Sequence, residues 1–237
     1  MNTVFMVVIA ILTSLYGYPG FGFDLLGLGK PLRSLTIIID PGHGGYDPGA
    51  VWGDLYEKDI NLMVSKKLKR HLEAQGAKVL LTRKGDYNLA IKGLHGIEAK
   101  RYDLKKRIEF ANANGDMLII IHVNSAINPE YRGAEAFYHS ECERGKVLAV
   151  AIQQQLRTIP GMMKRIAKTS NSYMLRHSKI PAALVEIGCL SNRQERQLLK
   201  NPDYLDTIAR KITAGVVKYH ISPKQVLREG YKRIMYN

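Results

Sequence analysis

The chain has 237 residues, a length near the upper range of one α/β domain and enough for a sizeable core. Its two cysteines are too few for a disulfide framework, and no internal repeat, low-complexity stretch or linker marks a second domain. The formal net charge of +14, from 35 basic and 21 acidic residues, suits an anionic partner, yet no nucleic-acid-binding motif accompanies it.

Residues 1–30 open the chain with an uncharged apolar run from Val4 to Leu12, broken by Gly17, Pro19, Gly20 and Gly22. The run is shorter than the roughly 20 residues of a membrane span and closer to a signal-peptide core, so export is expected, with retention as an N-terminal membrane anchor as the alternative. No Lys or Arg precedes the run, and no small-x-small cleavage site follows it. The catalytic domain is expected over 31–221 and a polar C-terminal tail over 222–237.

The first predicted strand covers 35–40 (Leu-Thr-Ile-Ile-Ile-Asp), and Pro41-Gly42-His43-Gly44-Gly45 stops it at once. His43 thus sits in a tight loop whose glycines let backbone approach an ion or substrate beside the imidazole. A helix follows over Glu57–Ala74, with Ile60, Val64, Leu68 and Leu72 on one apolar face. Glu57 lies in its first turn, where the helix dipole favours a carboxylate that can turn inward to a metal. Residues 86–100 read as a surface loop near the cleft. Arg107 stands at helical spacing from Asp103, in support of the site or only of the fold.

A second buried strand, 117–121 (Met-Leu-Ile-Ile-Ile), is followed by His122 and Asn124, and a strand-like segment covers 134–138. A third apolar run, 182–185 (Ala-Ala-Leu-Val), ends in Glu186, a charge that is costly at the end of a buried strand unless paired, metal-bound or catalytic. His71, His139 and His220 read as structural or solvent-facing, His95 and His177 as loop residues, and Cys189 as an inert core thiol. A last long helix ends at His220, before the polar tail. In open α/β sheets ligands gather at the carboxyl ends of the strands, which would bring His43, Glu57, His122 and Glu186 to one edge.

Two imidazoles and one carboxylate suit zinc and leave one coordination position open. His43, Glu57 and His122 are the expected ligands, and Glu186 is the expected general base and acid. Zinc there would polarise a carbonyl and lower the pKa of a water from about 15.7 toward about 7. The expected reaction is hydrolysis of an amide.

The strings Ile39-Asp40-Pro41-Gly42-His43-Gly44-Gly45 with Asp47 and Gly49-Ala50, Glu57-Lys58-Asp59-Ile60, Ile121-His122-Val123-Asn124 and Pro181-Ala182-Ala183-Leu184-Val185-Glu186-Ile187-Gly188 with Leu190-Ser191-Asn192 resemble the zinc-dependent N-acetylmuramoyl-L-alanine amidases. The resemblance runs from about Leu35 to His220. It implies a twisted, mostly parallel sheet flanked by helices on both faces, one Zn2+ per chain on His43, Glu57 and His122, and a catalytic Glu186. It implies cleavage of the amide between the lactyl group of N-acetylmuramic acid and the L-alanine of the stem peptide in peptidoglycan. The short architecture is similar to the germination-specific amidases of spore-forming bacteria, which strip peptides from cortex peptidoglycan as a step toward muramic δ-lactam.

Three positions depart from the family pattern: Ile120 where serine is usual, Cys189 where phenylalanine is common, and Arg193 where proline is common. None is among the four principal residues. No segment resembles the inhibitory helix that some relatives insert over the zinc, which leaves control to a regulatory protein outside the chain. The basic clusters, among them Lys66-Lys67, Lys105-Lys106-Arg107 and Lys224 to Arg233, fit an anionic wall polymer or membrane surface in an exported protein, and each taken singly reads as a solvated helix face. Another zinc hydrolase chemistry (carboxypeptidase or deacetylase) and a non-catalytic wall-binding homologue are the alternatives.

Overall fold

The computed structural model describes residues 29–223 and Val226. The expected leader lies almost wholly outside them, as does most of the C-terminal tail. Eight strands and six helices are present among the described residues: β1 (Thr36–Pro41), β2 (Val51–Trp52), β3 (Leu55–Tyr56), α1 (Glu57–Ala74), β4 (Lys78–Leu81), α2 (Gly96–Asn114), β5 (Met117–Asn124), β6 (Glu135–Tyr138), α3 (Glu143–Leu156), β7 (Lys168–Thr169), α4 (Tyr173–Arg176), β8 (Ala182–Cys189), α5 (Arg193–Lys200) and α6 (Pro202–Ile221). No described helix is long and apolar enough to cross a membrane.

Six strands form one sheet in the order β4-β1-β5-β8-β6-β7. Strands β4, β1, β5 and β8 are mutually parallel, whereas β6 pairs antiparallel with β8 and carries β7 parallel to itself, so this edge runs in reverse. The central strands are nearly continuous runs of Ile, Leu, Val and Ala because both of their faces are covered.

The period-2 alternation sorts the side chains into two layers. Ile37 and Ile39 of β1, Ile119 and Ile121 of β5, and Val185 and Ile187 of β8 pack with Ile60, Val64, Leu68 and Leu72 of α1, Leu148 and Ile152 of α3, and Ile208 and Ile212 of α6. On the other face, Ile38, Leu118, Ile120 and Leu184 meet Ile108 and Ala111 of α2 and Met174 and Leu175 of α4. Each such aliphatic side chain contributes about 1.5–3 kcal/mol by leaving water. The predicted helix over Glu57–Ala74 forms with those bounds, and its four spaced apolar residues are all buried.

Three details differ from the sequence expectation. β5 and β8 continue beyond their apolar runs, so His122 lies inside a strand and not in the loop after it, and Glu186 lies within β8 and not at its end. Their backbone hydrogen bonds are completed by neighbouring strands, which lets a polar residue extend the ladder. Residues 96–100 open α2 and are helical, so the irregular stretch ends earlier than expected. Val226 of the polar tail is buried against Val147 and Ala151 of α3, its carbonyl accepting a bond from Gln154 Nε2 at 3.2 Å.

Candidate metal centre

The loop after β1 carries His43 in a conformation few residues adopt. Its φ is 63°, the one positive φ of a non-glycine residue among the described residues. Such a backbone persists only where its surroundings over-determine it. Two buried arginines do so. Arg83 donates to the carbonyls of Pro41 at 2.8 Å, Gly42 at 3.0 Å and Lys58 at 2.7 Å. Arg107 donates to the carbonyls of Pro41 at 2.9 Å and His43 at 2.8 Å, and its charge is met by Asp103 Oδ2 at 2.9 Å and Asp40 Oδ1 at 3.2 Å. Burial disfavours the charged form of Arg107, but the two aspartates outweigh it and raise its pKa. The irregular stretch before α2 reinforces the same loop, because Asp86 Oδ1 accepts from Gly45 N at 2.8 Å.

Glu57 reaches the loop from the first turn of α1. Its Oε2 accepts from Ala50 N at 2.8 Å, while its Oε1 accepts from Val123 N at 3.1 Å. The same Oε1 stands 2.8 Å from His122 Nδ1 and 3.2 Å from His43 Nε2. Asp47 Oδ2 lies 2.9 Å from His43 Nδ1 on the far side of the ring, off the line of a directed hydrogen bond. The strand register shifts between His122 and Asn124, the kind of irregularity that re-aims a side chain beside a site.

Two glycines make the convergence possible. A Cβ on Gly42 would lie 2.4 Å from His122 Cε1, and one on Gly49 would lie 2.5 Å from Glu57 Oε2. Gly49 also has a φ of 68°, which a side chain would strain. The imidazoles of His43 and His122 meet edge to face with centroids 4.9 Å apart.

One donor atom from each of His43, Glu57 and His122 lies within 4.8 Å of the other two. Two imidazole nitrogens and one carboxylate oxygen at that separation fit the donor set of a divalent ion such as zinc. The protons respond to the same crowding. Burial pulls His43 down, but the carboxylates of Asp47 and Glu57 overcome it and raise its pKa to about 9. Burial raises Glu57, and the two histidines more than reverse this, holding its carboxyl well below the usual range.

Glu186 is the register partner of His122 on the adjacent strand, and both line one cleft of about 220 Å³. The cleft is smaller than the roughly 300–1,000 Å³ of enclosed ligand pockets, so it suits one extended segment of a larger molecule. Ile120, Leu184, Leu104, Tyr173 and Met174 give it an apolar side, with Asp47 and Lys100 among its polar lining residues. Glu186 Oε2 is buried with no hydrogen-bond partner. Burial raises its carboxyl to about 7, with His122 pulling down and Glu57 pushing up.

The four residues selected from the sequence thus meet in one place. Sequence reasoning missed Arg83, Asp40 and the part of Asp47, and left Arg107 between site and fold. Arg83 comes just past the strand β4 with Thr82 between, so a charge close after an apolar run pointed to it, less directly than Glu186 after 182–185. Of the departures, Ile120 lies in the cleft wall, and Cys189 is buried with its N–H donating to Glu195 Oε2 at 2.8 Å. His71 pairs with Asp206 at 2.8 Å, far from the site in the α1 and α6 layer, and His177 packs on the Tyr173 ring.

Comparison with known proteins identifies the family. The family described as Amidase_3, N-acetylmuramoyl-L-alanine amidase, matches residues 37–218. The germination-specific N-acetylmuramoyl-L-alanine amidase of Bacillus subtilis is 35% identical over 192 residues, covering 80% of this chain and 81% of that protein. The solved structure of the CwlD amidase from Clostridioides difficile, in complex with the GerS lipoprotein, superposes with a TM-score of 0.75 at 37% identity, covering 78% of this chain and 98% of that one. The N-acetylmuramoyl-L-alanine amidase AmiC2 of Nostoc punctiforme gives a TM-score of 0.67 at 32% identity over 81% and 98%. With the sheet order, the converging donors and these likenesses together, the chain belongs to the Amidase_3 family of N-acetylmuramoyl-L-alanine amidases.

Proposed function

We propose that this protein hydrolyses the amide between the lactyl group of N-acetylmuramic acid and the L-alanine of the stem peptide, with one zinc on His43, Glu57 and His122 and with Glu186 as the proton carrier. The observation that supports this most is the unpartnered Oε2 of Glu186 in the same cleft as the three convergent donors. A buried carboxylate oxygen without a partner is costly in a merely structural role.

When bound, zinc supplies Lewis-acid polarisation of the scissile carbonyl and makes a water acidic enough to attack at neutral pH. Glu186 takes a proton from the attacking water and returns it to the leaving nitrogen, so the products are a lactyl carboxylate and a free L-alanine amine. A carboxyl raised to about 7 suits both transfers near neutral pH. Asp47 holds the His43 ring from behind, and the apolar side formed by Ile120, Leu184 and Met174 excludes water from the reacting amide.

The placement in the cell rests on the sequence and on the relatives. Export through the leader at residues 1–30, action on spore cortex peptidoglycan toward muramic δ-lactam, and control by a lipoprotein-type partner all belong to this reading. The B. subtilis relative is named for germination, and the C. difficile neighbour was solved with a lipoprotein.

Mass spectrometry of cortex and vegetative peptidoglycan fragments treated with the zinc-loaded protein tests the proposal. Peptide-free glycan and stem peptide with a new L-alanine amino terminus, both absent with Glu186→Gln, support it. Release of acetate would assign a deacetylase instead, and intact fragments with bound zinc would assign a wall-binding role.

A further inference from the structure

The reversed edge of the sheet places a cation in the same row of side chains as Glu186. His122, Glu186 and Glu135 are successive register partners on β5, β8 and β6, so the three side chains stand in one row on one face of the sheet. Lys168 of β7 pairs with Phe137, two residues beyond Glu135 on that same face, and reaches back so that its Nζ lies 2.7 Å from Glu135 Oε1. The Glu135 side chain is 1% exposed and that of Lys168 is 50% exposed. Tyr131 donates to the other oxygen, Oε2, at 2.5 Å. The guanidinium of Arg165 stacks 3.9 Å above the Tyr131 ring, adding positive charge to this edge.

A buried carboxylate requires a counter-charge, and Lys168 supplies it. The contact is out of hydrogen-bond alignment at Oε1, so an ammonium with three donors keeps capacity for a second acceptor on its solvent side. Adjacent strands are ~4.8 Å apart, which puts the row's cationic end about one to two strand spacings from Glu186. An extended stem peptide places the carboxylate of the residue after L-alanine ~7 Å from the scissile nitrogen, at ~3.3–3.6 Å per residue. Resting on the amidase reading above, we infer that Lys168 is a specificity-determining residue that pairs with the free carboxylate of the second stem-peptide residue. Glu135 is its positioning residue, anchoring the ammonium one strand away from Glu186.

The test compares the zinc-loaded full chain, Lys168→Met and the double variant Glu135→Gln/Lys168→Met on two muramoyl dipeptides. One has a free carboxylate on the second residue, and the other has the carboxamide there. Wild type should favour the carboxylate in kcat/KM by about tenfold, the scale of one charge-assisted contact. Lys168→Met should bring the ratio to about one, chiefly through KM. The double variant, free of an unpaired buried carboxylate, should recover thermal stability while the ratio stays near one. A ratio unchanged in Lys168→Met, or a tenfold ratio in the double variant, would overturn the inference and leave Lys168 only as a counter-ion. Cleavage of neither substrate by wild type would overturn the amidase reading and this inference with it, an outcome distinct from turnover of both substrates without preference.

Discussion

Glu57 Oε1 stands 2.8 Å from His122 Nδ1 while accepting the Val123 N–H at 3.1 Å, so one carboxylate oxygen ties the helix α1 to the strand β5 that carries His122. That oxygen also faces His43, and the crowding has a consequence for pH. The His43 imidazole, with a pKa raised from 6.5 to about 9, carries a proton at neutral pH that a metal must displace. Zinc affinity should therefore climb about tenfold per pH unit for that proton and level off near pH 9. Calorimetry in buffers of different ionisation enthalpy would read the released proton directly. Affinity independent of pH between 6 and 9 would sink the idea. In the metal-free protein the sign is opposite: a raised histidine stabilises the fold below about pH 6.5, and that contribution is lost as pH rises through about 9.

Removing the proton carrier should separate metal from turnover. Glu186→Gln should keep zinc at wild-type stoichiometry and lose about 10²–10⁴-fold in kcat, the usual contribution of a general acid and base. His43→Ala should lose both. Metal analysis beside a steady-state assay decides the matter, and full activity in Glu186→Gln would exclude its acid-base role.

Gly42→Ala tests whether the close approach of backbone to His122 matters. The new methyl would sit 2.4 Å from ring atoms of His122, at a position whose backbone needs no special φ. The ring must move, and zinc affinity should fall by about 10–100-fold, as when a residue supporting a ligand is lost. Competition against a chelator measures it; unchanged affinity would show that the loop yields without cost.

Arg107→Met should be destabilising by about 3–5 kcal/mol, because Asp40 and Asp103 lose a buried counter-charge. Lysine should rescue little, since one ammonium cannot serve Asp103, Asp40 and two carbonyls at once. Chemical denaturation at fixed pH gives the number, and a loss below about 1 kcal/mol would make the arginine dispensable to the fold.

Much of this was legible in the chain because it depends on short-range pattern. The buried strands announced themselves as β-branched runs, α1 by its 3.6-residue spacing, and His43 by the proline and glycines around it. The antiparallel return of β6 and β7 was not legible, because two-residue β7 has no period to detect and its pairing is set by distant β6. Nor was the clamp on the His43 loop, since Arg83 and Arg107 act on carbonyls some 40 and 65 residues away, and polar contacts at that separation leave no local imprint. Val226 reads as part of a charged tail until Val147 and Ala151 are seen to cover it.

The left-handed backbone at His43 has one last implication. The unfavourable conformation is maintained by Arg83 and Arg107, which belong to the scaffold and bind no metal, so the loop is already bent before an ion arrives. The donor atoms of His43, Glu57 and His122 are thus gathered by the scaffold's own hydrogen bonds, within 4.8 Å of one another, and an ion is not needed to draw them together.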